Sequence, residues 1–196
     1  VTADKTSIEL LLAQEQYSKV IRAVEQQPDY AENADWQELQ TRALMGLQKN
    51  EDAEDFITQA LQQFPKQAEL YHLAAMNKFA LAQQVSIFSA PGYAKEGLAQ
   101  LKQAVQLAPE QASFQLTLLG FYLQAPGIVG GDEKLAKQMA ADLQQAAAAQ
   151  KADPVDAVIA QSMVLQSEEN TAAALQLLDA QLQQAPAYVR LLVQIA

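Results

Sequence analysis

Prolines at positions 28, 65, 109 and 186, with Ala148 where a further one would fall, divide the chain into segments of 37, 44, 39 and 38 residues. Each segment carries helical periodicity. A repeat of that length is one supersecondary unit, and no single unit can bury its apolar face alone. The core must then come from stacking one unit on the next. Composition agrees, because Ala occurs 37 times and Gln 30 times against 7 Gly and 7 Pro, which favours helix in nearly every long window.

The spacing inside each segment predicts a pair of helices. Ala53, Ile57, Ala60 and Pro65 stand at relative positions 0, 4, 7 and 12, preceded by Trp36, Leu39 and Ala43. Gly97, Leu101, Ala104 and Pro109 repeat the pattern after Leu70, Leu73, Ala74 and Asn77. Leu116, Leu119, Gly120 and Leu123 precede Ala136, Ala140 and Leu143, and Val158, Ser162 and Leu165 precede Ala174, Leu178 and Pro186. The first segment is ragged, with Tyr17, Val20 and Val24 before an early Pro28. Small residues at these places let helices approach closely while larger ones fill the grooves. The expectation is an all-α chain forming one domain, 1–196, with units at 5–28, 34–65, 68–109, 114–148 and 156–186 and a last helix over 187–196.

This spacing resembles the tetratricopeptide-repeat superfamily, whose unit is a pair of antiparallel helices repeating every ~34 residues. The resemblance implies a TPR-like α-solenoid of about five helix pairs plus a C-terminal helix. A narrower resemblance lies in SIFSAPGYAK, AVQLAPE and FYLQAPGIVGGDEKLAK, which are similar to a group of largely uncharacterised exported tetratricopeptide-like proteins of Gram-negative bacteria. More distantly the chain is similar to the periplasmic helical-repeat T component that accompanies some TRAP-type solute transporters.

Two stretches lengthen the third and fourth units. VSIFSAPG, 85–92, separates a helix ending near Gln84 from one starting near Tyr93, and APGIVGG, 125–131, precedes a helix starting near Asp132. Both fall at the turn inside a pair, so an array would set them side by side at one edge. GIVGGDEK does not match a phosphate loop: Lys134 follows Glu133 and precedes Leu135, and the preceding element is helical rather than a strand. As a turn it is well made. Pro126 ends the helix, Gly127 is free to adopt positive φ, Gly130 and Gly131 allow a tight reversal, and Asp132 and Glu133 suit the start of a helix. In the other loop, Ile87 and Phe88 are expected to tuck under the neighbouring loop; the alternative is a binding rim of Ser86, Phe88, Ser89 and Tyr93.

The resemblance implies a concave surface lined by the first helix of each pair. The inward positions would be Thr41, Leu44 and Met45, then Tyr71, Lys78 and Phe79, then Phe114, Thr117 and Phe121, then Ile159 and Met163. That stripe is aromatic and apolar with one lysine. It suits an extended peptide, a partner helix or a hydrophobic small molecule with an acidic group. The competing reading is that several of these side chains are core.

Charge and chemistry narrow the partners. The formal net charge is −10, made of −7 over 1–65, +1 over 66–137 and −4 over 138–196, and no Lys/Arg cluster offers a footprint for nucleic acid. Cysteine is absent and His72 is the sole histidine, which excludes thiol chemistry, disulfides and His/Cys metal sites. No cofactor is implied. No run of 18 apolar residues occurs, so no membrane-spanning helix is expected. The opening VTADKTS reads as a chain whose leader is left out, and with the missing cysteines it fits an exported, periplasmic protein, the alternative being cytoplasmic. His72 beside Tyr71, with Ser86 and Ser89 in the next loop, is close only in sequence and makes no catalytic constellation. The sequence therefore reads as a non-enzymatic protein- or peptide-binding module of the bacterial envelope, acting through the concave face or the loop edge. The alternative is a transporter-accessory protein holding a hydrophobic solute near Tyr71, Phe79, Phe114 and Phe121. A third reading is a self-assembling scaffold.

Overall fold

A computed structural model describes residues 3–184. These residues form ten α-helices in five consecutive pairs. They are α1 (Lys5–Ala13) with α2 (Tyr17–Glu25), α3 (Ala34–Gly46) with α4 (Asn50–Gln63), α5 (Ala68–Gln84) with α6 (Ala90–Leu107), α7 (Ala112–Gln124) with α8 (Glu133–Ala148), and α9 (Pro154–Ser167) with α10 (Thr171–Gln184). A single 3-10 turn spans Gly127–Val129. The pairing expected from the sequence is present throughout, and the last helix expected over 187–196 lies outside the described residues. The helices group into two compact units, Val1–Pro109 and Glu110–Ala196.

Starts and stops follow local chemistry. Asp4, Asn33, Asp132 and Asp153 each accept a hydrogen bond from a backbone N–H of the first helical turn, satisfying donors that the helix leaves unpaired. Four helices end on a residue with positive φ, and none of these is glycine: Glu15, Gln48, Gln150 and Glu169. In each case the next N–H reaches back to a carbonyl one turn inside the helix, as Lys49 does to Leu44 and Asn170 to Leu165. The three-residue turns at 14–16, 47–49 and 168–170 are built this way.

In the first unit, Ile8, Val20, Val24, Trp36, Leu39 and Ala43 form a continuous core joining α1, α2 and α3. Leu44, Ala53, Ile57 and Ala74 form the next, joining α3, α4 and α5. Each fully buried Leu, Ile or Val contributes roughly 1.5–3 kcal/mol. The Trp36 indole donates to Asp29 at 2.9 Å, so the one polar atom of that ring is satisfied. In the second unit, α7 packs on α8 and α9, and α9 on α8 and α10. Its buried side chains include Leu116, Leu119, Ala136, Ala140, Leu143, Ser162, Ala174 and Leu178, at positions that the repeat spacing marks out, together with Val155 and Ala160, which it does not; the marked Leu123, Val158 and Leu165 are half-buried.

The two inserted loops differ from expectation in detail. Helix α6 begins at Ala90, earlier than Tyr93, because Pro91 is tolerated in the first turn, where its missing N–H costs nothing. In the second loop the left-handed residue is Gly130, with φ 106°, rather than Gly127. Gly131 is held there by crowding: a Cβ would stand 1.7 Å from the Ala125 carbonyl oxygen.

Candidate functional site

The loop between α5 and α6 carries the most exposed apolar side chains of the first unit. Ile87 is 81% and Phe88 89% exposed, which overturns the expectation that they tuck beneath a neighbouring loop. The loop is short and stiffly mounted. Ser89 N–H and Ala90 N–H both donate to the Ser86 carbonyl at 2.9 Å, and the Ser86 and Ser89 hydroxyls lie 3.3 Å apart. Only four residues lie between Val85 and Ala90, a span too short to fold the tip back over the helices, and the two side chains project into solvent. No charged residue occurs between Lys78 and Lys95, leaving the tip electrically neutral in an acidic chain.

Behind this tip, Lys78 organises the middle of the unit. Its Nζ sits 2.7 Å from Glu54 of α4 and 2.6 Å from Glu96 of α6, and 5.3 Å from the centre of the Tyr93 ring. Burial pulls the ammonium pKa down, but hydrogen bonds to the two carboxylates outweigh it and hold the pKa above its ordinary value. Beside it, the fully buried Asn77 amide donates to the Asn50 carbonyl at 3.0 Å and to Glu54 at 3.1 Å. The sequence-derived residues Lys78 and Tyr93 are thus brought together, as a strut between helices. Phe79 lies half-buried against Gly97, and Tyr71 donates its hydroxyl to the Pro65 carbonyl at 3.2 Å.

The exposed edge of the first helices in this unit is a polar ladder. Lys5 of α1 meets Asp35 of α3 at 2.5 Å; Gln67 donates to Glu38 at 2.6 Å; Arg42 pairs with Glu69 of α5, whose carboxylate also stands 3.6 Å from His72 Nδ1. Burial raises the Glu69 pKa, and His72 and Arg42 more than reverse it, leaving the carboxyl below its usual range. The sequence reading missed this ladder, whose only signal is opposite charges about 27 to 30 residues apart, one repeat on. Thr41 and Leu44, expected to face inward, are instead packed away, Thr41 donating to the Gln37 carbonyl and Leu44 lying among Ala53, Ile57 and Ala74. Met45 packs half-buried on the same cluster.

In the second unit, Phe114 is 2% and Ile159 4% exposed, so both are part of the packing. Thr117 donates to the Ser113 carbonyl, and Phe121 is half-buried with its ring edge-on to Tyr122 at 6.3 Å. Met163 lies over Gly120, where a Cβ would be 2.9 Å from its Cε, and forms part of a cavity of about 410 Å³ with Leu123, Gln124, Gln166 and Ser167. The second loop presents Ile128, 79% exposed.

No family model and no curated protein matches the sequence. Among solved structures, the chain is similar to a thermophilic TPR protein from Thermus thermophilus, at a TM-score of 0.73 and 20% identity, over 97% of this chain and 94% of that one. That likeness establishes the tetratricopeptide-like all-α fold. Among the described residues, no helix is long and apolar enough to cross a membrane.

Proposed function

We propose that the protein is a non-enzymatic module that binds a protein or peptide partner, with the α5–α6 loop as its principal contact. The observation that carries this reading is the pair Ile87 and Phe88, 81% and 89% exposed on a short, hydrogen-bonded turn. Single exposed apolar residues are ordinary on a protein surface, whereas two bulky ones adjacent on a charge-free tip are suited to insertion into a partner's pocket. A stiff mount favours the same role, because little conformational freedom is lost when the tip docks. The tetratricopeptide-like fold supports a binding role in general, and the sequence composition supports an envelope setting for the partner.

The test compares affinity capture by the wild type and by the double variant Ile87→Ser/Phe88→Ser. Both residues are solvent-exposed, so the variant should keep its stability within about 0.5 kcal/mol. Capture of a discrete protein by the wild type and its loss in the variant supports the reading. Identical captured sets, or a small molecule retained in native mass spectra in place of any protein, overturn it.

A further inference from the structure

We infer that the cavity between the ends of α7 and α9 receives a basic side chain, arginine above all, from a bound polypeptide; this rests on the protein-binding reading above and adds a specific subsite to it. Gln124 is the last residue of α7 and Ser167 the last of α9, and both line the cavity. Two helices therefore bring their C-terminal ends to one place. Such an end carries a partial negative charge of about half an elementary unit, with the Val164, Leu165 and Gln166 carbonyls already taken by N–H groups of 168–170 and those of Phe121 and Tyr122 by Ala125 and Asp132.

The rest of the lining fits the same ligand. Leu123 and Met163 supply an apolar floor, and Gln124, Gln166 and Ser167 a polar rim without a cation. The side-chain amides of Gln124 and Gln166 engage no partner among the described residues, so their oxygens are available as acceptors. Immediately beyond Ser167 the chain continues with Glu168 and Glu169, both exposed. Glu168 is occupied by Lys137 at 2.7 Å, while Glu169 has no ion pair among the described residues. The carboxamides of Gln124 and Gln166 can donate as well as accept, so selection against a carboxylate rests on the two helix ends and on the neighbouring Glu169. A guanidinium presents five donors on a stem whose methylenes match the apolar floor. At about 410 Å³ the space suits one long side chain better than a helix or a folded surface.

The test is a titration of the ¹⁵N-labelled protein, followed by amide chemical shifts, with N-acetylarginine amide, N-acetylnorleucine amide and N-acetylglutamate amide as separate probes. The arginine probe is expected to give saturable shifts at Leu123, Gln124, Gln166 and Ser167 at millimolar concentration, the range for a single side chain. The other two should not. Ser167→Lys and, separately, Gln166→Lys should abolish those shifts while leaving the far-ultraviolet circular dichroism unchanged, since a cation is well tolerated in the last turn of a helix. Equal shifts from the norleucine probe would overturn the charge selection, and no saturable shift from any probe would overturn the subsite. Loss of the subsite with capture through Ile87 and Phe88 intact refutes only this inference. Arginine-selective shifts in a protein that captures no partner refute only the protein-binding reading.

Discussion

The ring of Phe79 occupies the space where a side chain at Gly97 would begin: a Cβ on the glycine would lie 2.5 Å from the ring's Cε1 and 3.2 Å from the Ala75 carbonyl oxygen. The same device recurs at Gly46, where the Tyr17 ring would be 2.5 Å from a Cβ. Two longer helices, α5 and α6, pack closely because the glycine admits an aromatic ring between them. Alanine is the better helix former by about 1 kcal/mol, yet a rigid ring and a backbone oxygen cannot both yield. Gly97→Ala is therefore expected to destabilise the protein by about 1–2 kcal/mol, within the range of overpacked cores. Gly120→Ala is the internal control. There the neighbour is the flexible end of Met163, so urea unfolding should show a change below about 1 kcal/mol.

The positive-φ residue at the end of α3 makes a second expectation. Gln48, with φ 58°, adopts a conformation that costs a non-glycine residue on the order of 1 kcal/mol. Its backbone hydrogen bonds do not depend on its side chain, and that side chain is exposed. Gln48→Gly should raise the midpoint of thermal unfolding, and Gln48→Val should lower it, because a β-branched residue tolerates this region least.

These turns also mark where the sequence was legible and where it was not. The helix pairs could be read because Trp36, Leu39, Ala43, Ala53, Ile57 and Ala60 fall at spacings fixed by helix geometry. Their ends were harder to place, since Glu15, Gln48 and Glu169 do the work usually signalled by glycine. The expected start near Tyr93 falls three residues inside α6, which begins at Ala90, because a proline in the first turn begins a helix as readily as it ends one. The facing of individual side chains was least accessible. Lys78 looked inward by register, but its direction is set by Glu54 and Glu96, carboxylates on two other helices. The exposure of Ile87 and Phe88 depends on how few residues lie between the ends of α5 and α6, and hydrophobicity alone had suggested burial.

Glu38 supplies an expectation in pH. Burial pushes its carboxyl above the ordinary range, Glu69 and Asp35 add to the effect, and Gln67 and Arg42 oppose it. A carboxyl whose pKa is raised on folding binds protons more tightly in the folded state. Its contribution thus falls as pH rises from the unfolded value of about 4.3 through the folded one. Glu38→Gln removes this loss while its amide oxygen can still accept from Gln67. Wild type and variant should have equal stability dependence below about pH 4. Above it the variant should gain, reaching an advantage of under about 1 kcal/mol at pH 7, since the side chain is partly solvated. Urea midpoints across that range check the sign; a variant that loses stability on going to neutral pH would show that the ladder needs the charge.

The central claim, that the α5–α6 loop is where a protein partner docks, is tested most directly by replacing Phe88 with a photo-reactive phenylalanine analogue in cells that make the protein. Illumination should give one discrete cross-linked species containing a second protein, and the same analogue at the exposed position Gln62 on α4 should not. A cross-linking pattern at 88 no different from that at 62 would contradict the claim.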